Sequence, residues 1–165
     1  MYKNNPQNMK VAIIGAGYIG SVLAAVLAEN DAEVTAIDIN KNIIDKINLG
    51  QSPVEEPGLE ELILKNVKLG KLEASNDISK ISEADVILLT VGTPLSDDGS
   101  IDKQALRNAV KSIAPFVVDN QLIIVKSTVS PYATEDEVAK PLRKNAKVFV
   151  SFCPDSTVSS LNCDG

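Results

Sequence analysis

The sequence contains no histidine and no tryptophan, and only 4% of its 165 residues are aromatic. Without histidine there is no Ser-His-Asp triad, no Cys-His dyad and no His-liganded zinc. Cysteine is nearly as scarce. Its two copies, Cys153 and Cys163, have nine residues between them, which is neither a C-x-x-C redox pair nor half of a zinc site. Reduced thiols in a cytoplasmic protein, with no metal, are the expectation. No apolar run reaches ten residues, too few to cross a bilayer, and the opening M-Y-K-N-N-P-Q-N lacks the apolar stretch of a signal peptide. Blocks of Lys and Arg are absent as well, and a formal net charge of -6 repels phosphate backbones. Neither a membrane nor a nucleic acid is an expected partner.

What is present suits one compact domain. With 44% apolar residues, a chain of this length can bury roughly 70% of the surface its unfolded form exposes, without metal or disulfide staples. Residues 1–8 precede the first apolar run and read as a disordered extension. Short apolar, β-branched runs recur at 10–14, 33–37, 71–75, 85–91, 121–127 and 147–152. Several are apolar on both faces, as buried parallel strands require. Helix-like stretches lie between them near 18–29, 41–49, 58–68, 103–113 and 132–140, with Asp102 as an expected N-cap and Pro115 and Pro141 as expected stops. Parallel neighbours need crossover connections, and helices supply them, so the alternation predicts an α/β fold with a doubly wound, mostly parallel six-stranded sheet. Two irregular segments, Q-S-P-V-E-E-P-G at 51–58 and T-P-L-S-D-D-G-S-I-D at 93–102, are expected surface loops, the second with a mobile tip beside the ligand crevice.

The first strand runs into G-A-G-Y-I-G, a G-x-G-x-x-G pattern formed by Gly15, Gly17 and Gly20. Its chemistry is specific to the position of each glycine. The first permits a tight turn, the second lets a pyrophosphate approach the backbone, and the third lets the helix pack against the strand. The anion then meets free N–H groups and the positive end of a helix. Glycine-rich corners also occur for packing alone, but here a strand precedes, a helix follows, and Asp38 ends the second strand eighteen residues beyond Gly20. At that point a carboxylate accepts from the adenosine ribose and repels a 2′-phosphate, which favours NAD over NADP. A solvated strand-end aspartate is the plainer reading of Asp38. FAD and S-adenosylmethionine, which also use glycine-rich first turns, are the competing ligands.

Five ordered stretches, I-G-A-G-Y-I-G, S-P-V-E-E-P-G-L-E-E-L, A-D-V-I-L-L-T-V-G-T-P-L, V-K-S-T-V and C-P-D, resemble the NAD-binding Rossmann-type domain of the UDP-glucose/GDP-mannose dehydrogenases. That family oxidises the C6 hydroxyl of a nucleotide sugar to a carboxylate. The resemblance runs from about residue 9 to residue 155. It implies cofactor contacts at Gly15, Gly17, Tyr18, Ile19, Gly20, Asp38, Val91, Thr93 and Thr128, and catalytic roles for Thr128 and Asp155. The family carries glutamate where Asp155 stands, one methylene longer. It also often carries a basic residue where Ile43 stands, and Lys41 is the nearest substitute. On the residues alone, Thr128 closes a strand and Pro154-Asp155 is a turn.

Family members are more than twice this length and continue into a second domain. That domain binds the sugar nucleotide and supplies a catalytic cysteine in a pattern like G-G-x-C-F-P-K-D, which neither Cys153 nor Cys163 matches. Residues 156–165 read as an irregular tail. The expectation is therefore the cofactor domain of a nucleotide-sugar 6-dehydrogenase, inactive alone and meeting a UDP- or GDP-sugar only with the missing domain supplied. The alternative is a stand-alone NAD-binding module with a regulatory or structural role. The reading leaves room for a homodimer, and C-P-D points faintly toward the N-acetylhexosamine branch.

Overall fold

The structure is a computed structural model, and it describes residues 9–92, 103–127 and 134–153. Six parallel strands form one sheet: β1 (Lys10–Ile14), β2 (Glu33–Ile37), β3 (Leu72–Ser75), β4 (Val86–Leu89), β5 (Leu122–Val125) and β6 (Phe149–Phe152). Their order is β3-β2-β1-β4-β5-β6. The chain builds outward from β1 in one direction, returns, and builds outward from β4 in the other. Between β1 and β4 the strand order reverses, and crevices that hold ligands open at the carboxyl ends of such strands.

The crossover helices α1 (Tyr18–Glu29), α2 (Lys41–Asn48) and α3 (Leu59–Lys68) follow β1 and β2. They pack on one face of the sheet around Val11, Ile13, Val34, Ala36 and Leu88. Helix α1 buries Gly20, Ser21, Ala24, Ala25 and Ala28, so its inward face is made almost entirely of small residues. Small residues let a helix axis approach the sheet closely, which sets the first turn of α1 hard against the end of β1. On the other face, α4 (Gln104–Ile113) and a helical run from Thr134 to Leu142 cover Ile87, Leu89, Ile123 and Val125.

The expected strands and helices are all found, with local differences. Strand β4 stops at Leu89 instead of 91, because its partner β1 ends at Ile14, where the glycine turn begins. Helix α4 starts at Gln104 with Lys103 in the N-cap position and no side-chain cap; Asp102, the expected cap, lies outside the described residues. Pro141 does not stop its helix. A π-helical segment, Thr134–Ala139, passes directly into an α-turn at Lys140–Leu142, and Pro141 stands within that turn, one residue before the helical run ends. A 3-10 segment at Ile78–Glu83, absent from the sequence reading, is started by Asp77, whose carboxylate accepts from the Ser79 backbone N–H at 3.0 Å.

Register fixes what stands at the carboxyl edge. Ile14 pairs with Ile37 and with Leu89, and Leu89 pairs with Val125. One residue further along each strand, Gly15, Asp38, Thr90 and Lys126 therefore stand at one level.

Candidate functional site

The turn after β1 is held from both sides. Gly15 adopts a φ of +97°, a conformation that side chains rarely tolerate, and its N–H donates to the Ile37 carbonyl at 2.8 Å. From the opposite neighbour, the Thr90 hydroxyl donates within 2.6 Å of the Gly15 carbonyl and 3.0 Å of the Ile14 carbonyl. A Cβ built on Gly20 would stand 1.9 Å from the Gly15 oxygen, so the helix and the turn touch with no room for a methyl group. Ser21, buried in the first turns of α1, donates its hydroxyl to the Gly17 carbonyl at 2.8 Å.

Gly17 is different. A Cβ there would meet nothing within 4 Å, and its φ of -67° is open to any residue. Neither conformation nor packing inside the protein asks for glycine at this position. It is the N-cap residue of α1, no side chain caps that helix, and its first turn, Tyr18-Ile19-Gly20, holds no acid. The result is an open space beside helix N–H groups and the positive end of a helix, which fits an approaching pyrophosphate.

Asp38 does more than the sequence suggests. Its Oδ2 accepts from the Ala16 N–H at 2.7 Å and its Oδ1 from the Asn40 N–H at 2.8 Å. The carboxylate thus locks the glycine turn to the end of β2 while it stays half-buried at the crevice edge. Each oxygen retains a lone pair, so ribose hydroxyls can be accepted without giving up either bond. Beside it, the Ile39 side chain is fully exposed.

The remaining predicted positions divide in two. Tyr18 is exposed, its hydroxyl donating to the Glu56 carboxylate, and Ile19 is half-buried. Val91 packs at the fringe of the second core, and its carbonyl accepts from the buried Ser127 hydroxyl at 2.6 Å, tying the ends of β4 and β5 together. Thr93, Thr128 and Asp155 lie outside the described residues, as do the loop at 93–102, the extension at 1–8 and the tail with Cys163. Ile43 packs into the first core, and Lys41 is turned along its own helix to Asp45 at 2.6 Å, away from the role of a basic residue toward the ribose.

Thr90, Ser127 and Glu56 were not singled out by sequence reasoning. Their contacts join residues 36 to 76 positions apart, which no local spacing announces. A separate concavity of about 260 Å³ opens at the far, amino end of the sheet, lined by Lys10, Glu33, Thr35, Lys71, Glu73 and Lys80. Its charges are used internally: Lys80 pairs with Glu73 at 2.6 Å and Lys71 with Asp31 at 2.6 Å. It takes no part in the crevice. Among the described residues no cluster of His, Cys, Asp and Glu could hold a metal ion, and no helix is long and apolar enough to cross a membrane.

Known proteins agree with this geometry. Residues 9–159 match the family model of the UDP-glucose/GDP-mannose dehydrogenase family, NAD binding domain. A UDP-glucose 6-dehydrogenase of Haloferax volcanii is 38% identical over 133 residues, covering 79% of this chain and 31% of the relative. A UDP-N-acetyl-D-mannosamine dehydrogenase of Methanococcus maripaludis is 35% identical over 150 residues, covering 88% of this chain and 34% of the relative. Among solved structures, a ternary complex of GDP-mannose dehydrogenase from Pseudomonas aeruginosa superposes with a TM-score of 0.84 at 29% identity, over 89% of this chain and 36% of that one. The chain spans about a third of the length of the relatives it matches. Sequence, strand order and the crevice at the β1–β4 reversal agree, and the chain belongs to the UDP-glucose/GDP-mannose dehydrogenase family, of which it carries the NAD-binding domain.

Proposed function

We propose that this chain is the cofactor-binding part of a nucleotide-sugar 6-dehydrogenase and has no dehydrogenase activity by itself. The observation that carries the cofactor half of this reading is Gly17, a glycine that the protein's own packing and backbone do not require. Bound NAD would supply the hydride acceptor for oxidation of an alcohol carbon. The residues described here prepare for it. The N–H groups at the start of α1 face the opening at Gly17 and would take the pyrophosphate. Asp38 would accept from the adenosine ribose while its bonds to Ala16 and Asn40 keep the turn and strand end fixed. Because Thr90 and Ile37 already hold the Gly15 turn, this turn is pre-formed and needs little ordering on binding. By the family resemblance, Thr128 and Asp155 would approach the sugar end of the cofactor, with Val91 and Thr93 along it. The substrate class, a UDP- or GDP-sugar, rests on what the relatives act on.

Calorimetry with NAD and NADP tests the cofactor assignment. Tighter binding of NAD is expected, and Asp38→Asn should narrow the difference, since the amide keeps one acceptor toward Ala16, gives up the bond from the Asn40 N–H, and loses the charge that repels a 2′-phosphate. Equal affinities for both dinucleotides in the unaltered chain would remove Asp38 from the ribose site.

A further inference from the structure

Helix α1 presents the glycine turn, so whatever fixes α1 fixes the cradle. At its carboxyl end, Glu29 accepts from Lys65 Nζ at 2.5 Å and from Asn66 Nδ2 at 3.1 Å, both on α3. These bonds hold the Glu29 carboxyl below its usual range, the Lys65 bond contributing most. At its amino end, the Tyr18 hydroxyl donates to the carboxylate of Glu56, in the loop that leads into the same α3. The α2–α3 unit therefore grips α1 at both ends. The two grips differ in one respect: the first is remote from the crevice, and the second is made by the residue that follows Gly17.

The loop that carries Glu56 is built to hold its shape. Pro53 and Pro57 fix two φ angles. The Ser52 hydroxyl donates to the Val54 carbonyl at 2.6 Å, the Ser52 N–H donates to Glu60 Oε2 at 3.2 Å, and the Leu59 N–H donates to the Glu56 carbonyl at 3.2 Å. Gly58 turns the chain into α3 at a φ of +79°. Glu56 is thus presented by a rigid segment, and its bond to Tyr18 holds the hydroxyl of a side chain that is 52% exposed. By accepting from the phenol, the same carboxylate raises the Tyr18 pKa above its ordinary value.

From this geometry we infer that Glu56 is a positioning residue for the dinucleotide, holding the Tyr18 ring at the border of the Gly17 opening so that binding need not immobilise it. The inference rests on the proposed cofactor reading of this crevice. A hydrogen bond of this kind, or the freezing of one free side chain, corresponds to about a three- to tenfold change in affinity.

The test is a double-mutant cycle read by calorimetry with NAD, each variant also melted thermally. The unaltered chain is titrated first; failure to bind NAD would overturn the cofactor reading and this inference with it. Given binding, Tyr18→Phe and Glu56→Ala should each weaken NAD about three- to tenfold, and the double variant should be no worse than either. Glu56→Gln, which still accepts from the phenol, should restore most of the loss. All four should melt within a degree or two of the parent, since the contact is at the surface. Additive losses, unchanged affinity in Tyr18→Phe and Glu56→Ala, or a Glu56→Gln variant as weak as Glu56→Ala would overturn the latch while leaving the cofactor site standing.

Discussion

Three glycines in one motif answer to three different demands, and single substitutions should separate them. Gly20 has a backbone oxygen 1.9 Å from where its Cβ would be, so Gly20→Ala must push α1 off the turn and should cost stability, by about 1–3 kcal/mol for overpacking. Gly17 has empty space, so Gly17→Val should abolish NAD binding while the thermal midpoint moves little. Measuring melting temperature and NAD affinity for both variants checks this; a Gly17→Val protein that binds NAD normally would mean that the opening is not the pyrophosphate site. The glycine pattern and Asp38 were legible in the sequence because they depend on local order along one strand, turn and helix. The second task of Asp38, gripping the Ala16 N–H, was not, and neither was Thr90, whose partner Gly15 is 75 residues away. Such contacts exist only once parallel pairing has brought β1, β2 and β4 into register.

At the scale of elements, the sequence indicated the bounds of strands and helices to within one or two residues. The apolar run at 85–91 continues past the last paired residue of β4, because Thr90 and Val91 turn to other work at the crevice edge, one bonded to the glycine turn and the other to Ser127. The 3-10 segment at Ile78–Glu83 was unreadable because six residues are too short to show a period. Pairings between elements were likewise invisible. One of them carries a pH prediction: Arg107 of α4 holds Glu137 of the helical segment after β5 through two bonds, at 2.6 and 2.8 Å. The Arg107 bond lowers the Glu137 carboxyl below its ordinary value of 4.5; Lys103 adds to this and Asp136 opposes it. A carboxyl depressed in the folded state stabilises above its unfolded pKa, and that stabilisation is lost as pH falls through the folded pKa. Arg107 is about half exposed, which limits the contribution to roughly 1 kcal/mol, or about 2–4 °C in melting temperature. Glu137→Gln should therefore melt lower than the parent at pH 7, and the gap should close in acid below the folded pKa. A gap that is the same at both pH values would show that the ion pair contributes nothing.

At the scale of the whole molecule, the alternation of runs was enough to indicate a doubly wound sheet, and the order β3-β2-β1-β4-β5-β6 places its ligand crevice at the β1–β4 reversal. That same order separates the crevice from the one described cysteine. Cys153 follows β6, three strands from β1, which at about 4.8 Å per strand puts it roughly 14 Å from the glycine turn. It is an exposed free thiol, its backbone N–H donating to the Val125 carbonyl at 3.0 Å. Oxidation of a sugar alcohol through to a carboxylate needs the sugar held beside the cofactor, and positioning of that kind can supply roughly 7–11 kcal/mol of the barrier. The polypeptide spans about a third of the length of its relatives, and the described part offers a cradle for the dinucleotide without a second wall for a sugar. Accordingly, the 165-residue polypeptide, given NAD with UDP-glucose or GDP-mannose, should form no NADH above background even where calorimetry shows NAD bound. Cys153→Ser with Cys163→Ser should change neither that background nor the NAD affinity. Steady NADH formation that disappears in the double cysteine variant would show that this polypeptide completes the reaction by itself, and that the division between a cofactor part and a sugar-handling part has been drawn in the wrong place.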